Sequence, residues 1–417
     1  MLMHMTDDDA SSPHWTTGNV IRLLQSGTDF FPALGAAIDA AQHSVHLETY
    51  IFAIDRTGHR ILESLAAAAR RGVAVRVVLD GFGSAATIDH VRERIVNAGG
   101  QCLVFRPEPR WLGKLAPDRS RLRRLHRKTA VIDGATAFVG GINVVDDFHD
   151  DNSKTLVGSP RFDFAVEVSG PLVADVIYAQ DLLWVRLNWS LLRRNPAELR
   201  DWRKLRLLIP HRAPARGPAP RAGMPPDATA SLRTLRAALV LRDNVRYRQT
   251  FERAYLQGIR QARREILIAN AYFFPGRAFR KALLEAVERG VRVRLLLQGK
   301  TDHRIQYHAT HVLYDQFLAG GIEIYEYRAS YLHAKVAVID DIATVGSSNL
   351  DPFSLLLARE ANVIVDDSAF ALDLQARLEE GIALGAERIQ QHAYRRRGWL
   401  RRGIDRVSYT MMRIGVA

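Results

Sequence analysis

The chain of 417 residues has a globular composition, with 47% hydrophobic and 25% charged residues, and its length allows two domains. Cys102 is the only cysteine, which excludes an internal disulfide, and no uncharged apolar run of about 18 residues predicts a membrane-spanning helix. The formal net charge of +13 indicates a polyanionic partner, such as nucleic acid, an anionic lipid surface or a phosphate group, without choosing among them.

Helices and strands alternate in the first part of the chain. A loose tail is predicted up to about residue 17, without the apolar core of a secretory signal. The elements that follow are a helix at 30–42, a strand at 45–52, a helix at 61–71, a strand at 73–79, a helix at 88–98 and a strand at 101–105. This β-α-β-α order predicts an α/β fold with a largely parallel sheet covered by helices.

The same order of elements returns in the second part of the chain. The pattern predicts helices at 251–262, 278–289 and 309–318 and strands at 266–272, 291–297 and 323–325. The segments also match in sequence, since 44–52 aligns with 265–273 and 71–79 aligns with 289–297. A period of about 200 residues is too long for a solenoid and indicates a duplicated domain.

Composition divides the chain into four parts. The first half is expected at 18–200, and a Pro/Arg-rich linker with six prolines at 201–235. The second half is expected at 236–393, followed by a basic aromatic tail at 394–417. Aromatic residues among arginines in this tail fit either a membrane-interface helix or a surface helix packed on the body.

One short motif occurs in both halves. Each copy has a histidine, a lysine two residues later, an aspartate after four further residues, and an asparagine that ends a Gly-rich turn. The members are His126, Lys128, Asp133 and Asn143 in the first copy, and His333, Lys335, Asp340 and Asn349 in the second. Residues two apart on a strand face the same side, so each copy offers one imidazole and one ammonium group to a common surface. Two such surfaces facing each other would form a pocket suited to a phosphodiester.

The paired motif supplies the groups that phosphodiester chemistry needs. One neutral imidazole can attack phosphorus, and we expect His126 in this role. The other, His333, can protonate the leaving oxygen and then deprotonate the incoming alcohol or water. Lys128 and Lys335 would neutralise the non-bridging oxygens, and the two asparagines would add neutral donors. This set of groups requires no metal and no other cofactor.

Further residues are expected to support the two histidines. Glu360 and Asp163 follow the asparagines at matching positions, and are candidates for holding an imidazole in one tautomer. Ser347 belongs to a Gly-Ser pair that permits close approach of the backbone to a phosphate. Asp133 and Asp340 count among the catalytic residues of the motif. Their place between a strand and a turn also favours a structural role, in which they bind backbone amides.

The repeated pattern resembles the motif of the phospholipase D superfamily. Longer stretches are similar to bacterial cardiolipin synthases, of the short type without N-terminal membrane spans; they include 48–52, 268–276, 325–327 and 346–352. The resemblance implies two α/β/α halves with mixed, largely parallel sheets, related by a pseudo-two-fold axis, with one active site between them. It also implies a phosphohistidine intermediate, and transfer of a phosphatidyl group from phosphatidylglycerol or phosphatidylethanolamine to the glycerol headgroup of a second lipid.

The resemblance also bears on partners and location. It implies phospholipid substrates and a peripheral position on an anionic phospholipid membrane, at the cytoplasmic face of the bacterial inner membrane, and it disfavours nucleic acid as a partner. The alternative function is a phospholipase D-like phosphodiesterase that hydrolyses phospholipid or nucleic acid. A non-catalytic basic adaptor is the third possibility, and the two intact motifs argue against it.

Overall fold

The first half of the molecule is built from strands and helices that alternate along much of the chain. The computed structural model describes residues 13–107, 123–148, 158–194, 233–243, 247, 249–300, 304–352, 354 and 357–414. Most of the predicted linker at 201–235 therefore lies outside the described residues. The elements of the first half are β1 (Trp15–Gln25), α1 (Ser26–Ala40), β2 (Ser44–Thr49), α2 (Arg56–Arg70), β3 (Ala74–Asp80), α3 (Ile88–Asn97), β4 (Gln101–Phe105), β5 (Lys128–Ile132), β6 (Thr136–Gly140), β7 (Phe164–Ser169) and α4 (Leu172–Arg194).

The second half repeats this order and ends in additional helices. Its elements are β8 (Leu235–Arg242), α5 (Thr250–Gln261), β9 (Glu265–Asn270), α6 (Arg277–Glu288), β10 (Arg292–Gln298), α7 (Arg304–Ala319), β11 (Glu323–Tyr327), β12 (Lys335–Ile339), β13 (Ile342–Gly346), β14 (Glu360–Asp366), α8 (Ser368–Gly385), β15 (Ala386–Arg388), α9 (Gln391–Arg395) and α10 (Trp399–Ile414). The predicted helices and strands of both halves are present within a few residues of their expected bounds. β1 begins at Trp15, inside the segment that the sequence predicted to be a loose tail.

The described strands form one 15-stranded sheet that runs through both halves. Its order is β15-β11-β10-β9-β12-β13-β14-β8-β1-β7-β6-β5-β2-β3-β4. β1 and β8 lie antiparallel at the centre. Outward from this pair, β7, β6, β5, β2, β3 and β4 of the first half mirror β14, β13, β12, β9, β10 and β11 of the second. The duplication seen in the sequence is therefore also present in the topology.

The expected α/β class with mixed sheets is confirmed, but the sheet is not largely parallel. Parallel pairing is confined to β2–β3–β4 in the first half and β9–β10–β11 in the second. The strands that carry the motifs are joined by short hairpins, β5 to β6 and β12 to β13, and such connections require antiparallel neighbours. The sheet is therefore mixed, with antiparallel strands in the middle and a parallel section towards each edge.

Two kinds of apolar core cover the faces of this sheet. Each half has a core of its own beneath its crossover helices, where Leu34 of α1 and Phe279 of α6 are fully buried. A third core joins the halves, because side chains of α4 and β7 pack in one cluster with those of α8 and β14, including Val166 and Leu374. Neighbouring residues of β5 belong to different cores, as the alternation of a strand requires. The two halves are thus held together by buried apolar surface as well as by the sheet.

Candidate active site

The two motif histidines lie immediately before the strands rather than within them. β5 begins at Lys128 and β12 begins at Lys335, so each histidine occupies the extended segment two residues earlier. Each lysine turns its ammonium group back towards its own motif: Lys128 Nζ donates to the carbonyl oxygen of His126 at 2.5 Å, and Lys335 Nζ donates to that of His333. The histidine and lysine of each motif are therefore held together, although the strand starts only at the lysine.

The backbone of each histidine segment is fixed by the opposite half. The amides of His126 and Arg127 both donate to the carbonyl oxygen of Arg359, at 3.0 and 2.8 Å. In the same way, the amide of His333 donates to the carbonyl oxygen of Phe162 at 2.9 Å. Arg359 and Phe162 are the residues directly before Glu360 and Asp163. These backbone hydrogen bonds therefore position each carboxylate next to the histidine of the other half.

The carboxylates pair with the histidines across the halves. His126 Nδ1 lies 2.9 Å from Oε1 and 3.1 Å from Oε2 of Glu360. His333 Nδ1 lies 2.6 Å from Oδ2 of Asp163. An ionised carboxylate can only accept, so Nδ1 of each ring carries the hydrogen and Nε2 has the free lone pair. Both carboxylates are buried. The structure thus brings together the four residues that sequence spacing had placed in separate motifs.

The two histidines belong to one electrostatic environment. Burial lowers the pKa of His333 well below its ordinary value, and the charges of Lys335, Arg161, Lys128 and His126 lower it further. The charges that act on this imidazole thus come from both motifs. The lowered pKa favours the neutral imidazole, whereas the negative charge of a phosphodiester in the cleft would raise this pKa again.

His126 differs from His333 in the balance of these effects. Burial lowers its pKa, whereas the charge of Glu360 and the hydrogen bond to it raise it, and Lys128 and Lys335 lower it again. Charges of each motif therefore shift the pKa of the histidine of the other motif.

The buried charges next to the histidines also have shifted pKa values. Burial lowers the pKa of Lys128 to about 7; Glu360 and Asp163 oppose this shift and Lys335 adds to it. Burial raises the pKa of Asp163 to about 6, against the opposing effect of Lys335. A bound phosphate would add negative charge beside these groups and favour the charged form of Lys128. The site thus has cationic side chains that can bind an anion, and Lys128 and Asp163 change their charge close to neutral pH.

The motif aspartates do not belong to this cleft, which corrects their assignment to the catalytic residues. Asp133 accepts hydrogen bonds from the amides of Gln42, His43 and Ser44 at 2.7–2.9 Å. Asp340 accepts equivalent bonds from the amides of residues 263–265 at 2.9–3.0 Å. Both lie at the end of the strand away from the histidine. Each stabilises the turn before the neighbouring strand, as the structural alternative predicted.

The Gly-rich turns lie close to the carboxylates, and each turn ends in an asparagine. Asn143 Oδ1 accepts from the amide of Ile51 at 3.2 Å, so its NH2 group is the part that can donate to a phosphate oxygen. Oδ1 of Asn349 is buried and has no hydrogen-bond partner among the described residues. Ser347 donates to Glu360 Oε2 at 2.6 Å, which assigns it to support of the carboxylate.

The first half has a glycine where the second half has this serine. A Cβ atom at Gly141 would lie 2.3 Å from Oδ1 of Asp163, so this position has no room for a side chain. Asp163 instead accepts from the amide of Phe164 at 2.8 Å. The two carboxylates are therefore held in different ways, although they occupy equivalent positions in the repeat.

Several supporting residues were not identified as such from the sequence. Asp80, at the end of β3, accepts from the amide of Leu125 at 2.7 Å, and Gln298 plays the same part for Leu332. Both residues end strands of the parallel section, a position that could have indicated them. Arg161 is buried and its charge acts on His333, but its position in the repeat is occupied by Ala358 in the second half, so the duplication gave no signal.

Of the polar residues that end β2 or follow it, Tyr50 lies beside the motif residues and Glu48 does not. The ring of Tyr50 lies 5.0 Å from that of His126, and Lys128 Nζ lies 5.5 Å from the Tyr50 ring. Glu48 forms a buried ion pair with Arg127, which makes it part of the core and not of the pocket lining.

Within the described ranges, no three His, Cys, Asp or Glu residues are placed to hold a metal ion. No helix of those ranges has the length and apolarity that crossing a bilayer requires.

Comparisons with known proteins agree with these observations. The family model described as "Cardiolipin synthase, PLD-like domain" matches residues 34–157 and 255–381, one match in each half. Cardiolipin synthase B of Escherichia coli K12 is 37% identical over 386 residues, which cover 92% of this chain and 86% of that protein. The major cardiolipin synthase ClsA of Bacillus subtilis is 29% identical over 389 residues, covering 93% of this chain and 74% of that protein.

A solved structure shows the same architecture. The crystal structure of phosphatidylserine synthase from Haemophilus influenzae Rd KW20 matches with a TM-score of 0.66 over 98% of this chain and 96% of that chain. The sequence identity is 14%, so this likeness concerns the fold alone. It confirms the prediction of an α/β fold.

Proposed function

The chain belongs to the family of cardiolipin synthases with phospholipase D-like domains, and from this premise we propose how its cleft transfers a phosphatidyl group. It is a phosphatidyltransferase of the cardiolipin synthase type. The observation that carries the proposal is the pairing of His126 with Glu360 and of His333 with Asp163, because each pair combines both halves into one site.

The first step is attack on the phosphodiester of a donor lipid. Nε2 of His126 forms a bond to phosphorus, and the bond from phosphorus to the headgroup oxygen breaks. The negative charge of the bound phosphodiester favours the protonated form of His333. The His333 imidazolium gives its proton to that oxygen, and the headgroup alcohol leaves, which is glycerol when phosphatidylglycerol is the donor. The product is a phosphatidyl group attached to His126, with His333 neutral.

The second step reverses these roles on an acceptor. His333 takes the proton from a hydroxyl of the glycerol headgroup of a second lipid, whose oxygen attacks phosphorus. The phosphorus–nitrogen bond breaks, which regenerates His126 and releases cardiolipin. Water in place of the lipid hydroxyl would give phosphatidic acid, so the ratio of the two products measures how well the cleft selects the acceptor.

The assignment of the two histidines follows from their partners. An acid/base residue must gain and lose a proton near the working pH, and the carboxyl group paired with His333 has a pKa raised to about 6 by burial. Above this pKa the Asp163 carboxylate is ionised and, at 2.6 Å from Nδ1, stabilises the imidazolium that forms when His333 takes up a proton. Glu360 is fixed by His126 on one side and Ser347 on the other, which suits it to orienting a nucleophile.

The lysines and asparagines of the two motifs stabilise the negative charge of the transition state. Lys128 and Lys335 come from opposite halves, and both act on the charges of the histidine pairs. Asn143 and Asn349 supply amide groups at the ends of the two turns. Ammonium and amide donors in a buried cleft stabilise negative charge on the non-bridging oxygens more strongly than they would in water.

Location and donor lipid complete the proposal. We place the protein as a peripheral enzyme on an anionic phospholipid membrane, at the cytoplasmic face of the bacterial inner membrane. A formal net charge of +13 favours such a surface, and the substrates are themselves bilayer lipids. Phosphatidylglycerol is the proposed donor, with phosphatidylethanolamine as the second candidate.

The test is product analysis with purified protein and phosphatidylglycerol vesicles. Cardiolipin and glycerol in equal amounts are expected, and His126→Ala and His333→Ala should each abolish both products. Addition of phosphatidylethanolamine labelled in its headgroup shows whether ethanolamine is also released. Phosphatidic acid without cardiolipin would instead identify a hydrolase and contradict the transfer function.

A further inference from the structure

The C-terminal helix α10 (Trp399–Ile414) presents three different faces. The buried face packs against the second half through Asp405, Ser408 and Met412. His308 Nδ1 lies 2.8 Å from Asp405 Oδ1, and Arg397 donates to Asp405 Oδ2 at 3.0 Å. These contacts fix how the helix is turned, so the exposure of its other faces is a property of the folded protein.

The second face is an exposed apolar stripe. It consists of Leu400, Ile404, Val407 and Met411, with exposed fractions between 45 and 64%. The spacing of four, three and four residues places these side chains above one another on one side of the helix. Trp399 stands next to the first of them and is 85% exposed. A stripe of this kind on the outside of a folded protein indicates a binding surface rather than a core.

The third face is basic and lies across the exposed sector of the helix from the apolar stripe. Arg402, Arg406 and Arg413 are exposed and, at roughly 100° per residue, lie about 150° around the helix axis from the stripe, with Trp399 and Thr410 between the two groups. The helix contains one acidic residue, Asp405, and it is buried in the contacts with His308 and Arg397. The exposed surface of this helix therefore carries apolar and positively charged groups and no negative charge, which complements an anionic lipid surface rather than an average protein surface.

The helix is also linked by contacts to the second motif. The ring of Tyr409 contacts that of Phe274, with 5.2 Å between their centroids. The amide of Phe274 donates to the carbonyl oxygen of Leu350 at 2.7 Å, and Leu350 directly follows Asn349 of the second motif. The helix is thus connected through two contacts to the cleft where the phosphate group would bind.

We propose that α10 docks the enzyme on the surface of a bilayer that contains anionic phospholipid. The helix lies parallel to the membrane plane with its exposed sector against the bilayer, so that the apolar stripe on one flank reaches the boundary between headgroups and acyl chains and the arginines on the other flank reach the phosphates. This inference rests on the proposed function, because the cleft must then face the surface that supplies both lipids.

The experiment compares two double variants of the full-length protein. Ile404→Asp/Val407→Asp puts charges into the stripe, whereas Leu372→Asp/Leu384→Asp puts them at exposed apolar positions of α8. Each protein is mixed with vesicles of phosphatidylglycerol and phosphatidylcholine, or of phosphatidylcholine alone, and the bound fraction is measured by flotation. Circular dichroism melting curves of all three proteins verify that they are folded.

We expect the stripe variant to lose at least tenfold in its partition onto phosphatidylglycerol vesicles, and the α8 variant to bind like the parent protein. Binding of the parent protein should be weak on phosphatidylcholine alone and should fall as salt rises. Equal binding by the parent and the folded stripe variant would overturn the proposal. So would a change in oligomeric state with unchanged vesicle binding, since the stripe would then be an interface between copies of the chain.

The two proposals are separable in the same samples. Cardiolipin synthesis by the parent protein in detergent–lipid micelles tests the function without a bilayer. If the parent makes cardiolipin in micelles but the stripe has no effect on vesicle binding, the docking inference fails and the function stands. If the parent makes no cardiolipin under any condition, the proposed function fails, whatever the binding result.

Discussion

The pairing of histidines and carboxylates across the halves predicts a large effect from a change of one atom in Glu360. Glu360→Gln keeps the size of the side chain but removes the charge that His126 Nδ1 faces at 2.9 and 3.1 Å. A hydrogen bond to a charged group contributes about 1.5–3 kcal/mol, and each 1.36 kcal/mol is a factor of ten in rate. Loss of this contribution lowers kcat about 10- to 150-fold. The amide can also place its NH2 group towards Nδ1, which would favour the wrong tautomer and lower the rate further.

The assay is the initial rate of cardiolipin formation, with kcat and KM determined over a range of phosphatidylglycerol concentrations. KM should change little, because Glu360 acts on His126 and does not touch the lipid. Asp366→Asn is the matched control on the same strand: its surface ion pair with Arg236 is worth about 0–1 kcal/mol, and activity should stay at the parent level. A Glu360→Gln enzyme within threefold of the parent kcat would refute the reasoning.

Three further predictions concern the groups around this pair. The pH profile of kcat/KM should be bell-shaped: activity falls below about pH 6 as Asp163 is protonated and ceases to accept from His333, and falls above about pH 7 as Lys128 loses its charge. A flat profile between pH 5 and 8 would contradict both assignments. Gly141→Ala should lower kcat at least tenfold, because its Cβ would meet Asp163 Oδ1 at 2.3 Å, and an unaffected rate would show that the carboxylate can move without cost. Asp340→Ala should lower the free energy of unfolding by about 1–3 kcal/mol, since it leaves three amides without their acceptor, while kcat per folded molecule is retained; denaturant titration and active-site counting separate the two effects.

Local patterns made much of the fold predictable. The apolar spacing of α5 and α6 and the continuous apolar runs of the buried strands follow from rules that act over a few residues. The duplication added a second, independent signal, because matching segments had to have the same structure. β1 was not recognised, because its residues alternate poorly between apolar and polar. It is a strand because β7 and β8 flank it on both sides.

The pairing pattern of the sheet depends on contacts that the local sequence does not contain. Alternation of helices and strands describes the parallel sections at β2–β4 and β9–β11 correctly. It says nothing about the hairpins at β5–β6 and β12–β13, where the turn residues Asp133 and Asp340 have positive φ angles of 52°. An aspartate at such a position, directly after a strand, indicates a tight turn, and this signal would have predicted the antiparallel centre.

The residues of the candidate site were visible in the sequence, but their partners were not. Spacing identified His126 and His333 because the pattern occurs twice, and it identified Glu360 and Asp163 as candidates for holding them. Which carboxylate meets which histidine is decided by the backbone bonds from Arg359 and Phe162 to the opposite half, over a sequence separation of more than 150 residues. A tertiary contact of this kind has no local signature.

The central claim is that two half-molecules form one site, in which both histidines act on a single phosphorus atom. Rapid mixing with phosphatidylglycerol radiolabelled at phosphorus, followed by a denaturing quench and peptide mapping, counts the phosphatidyl groups bound to the protein. We predict at most one labelled histidine per chain, on His126, with no label in the His126→Ala variant. Two labelled histidines per chain, one in each half, would show two independent sites and contradict the account.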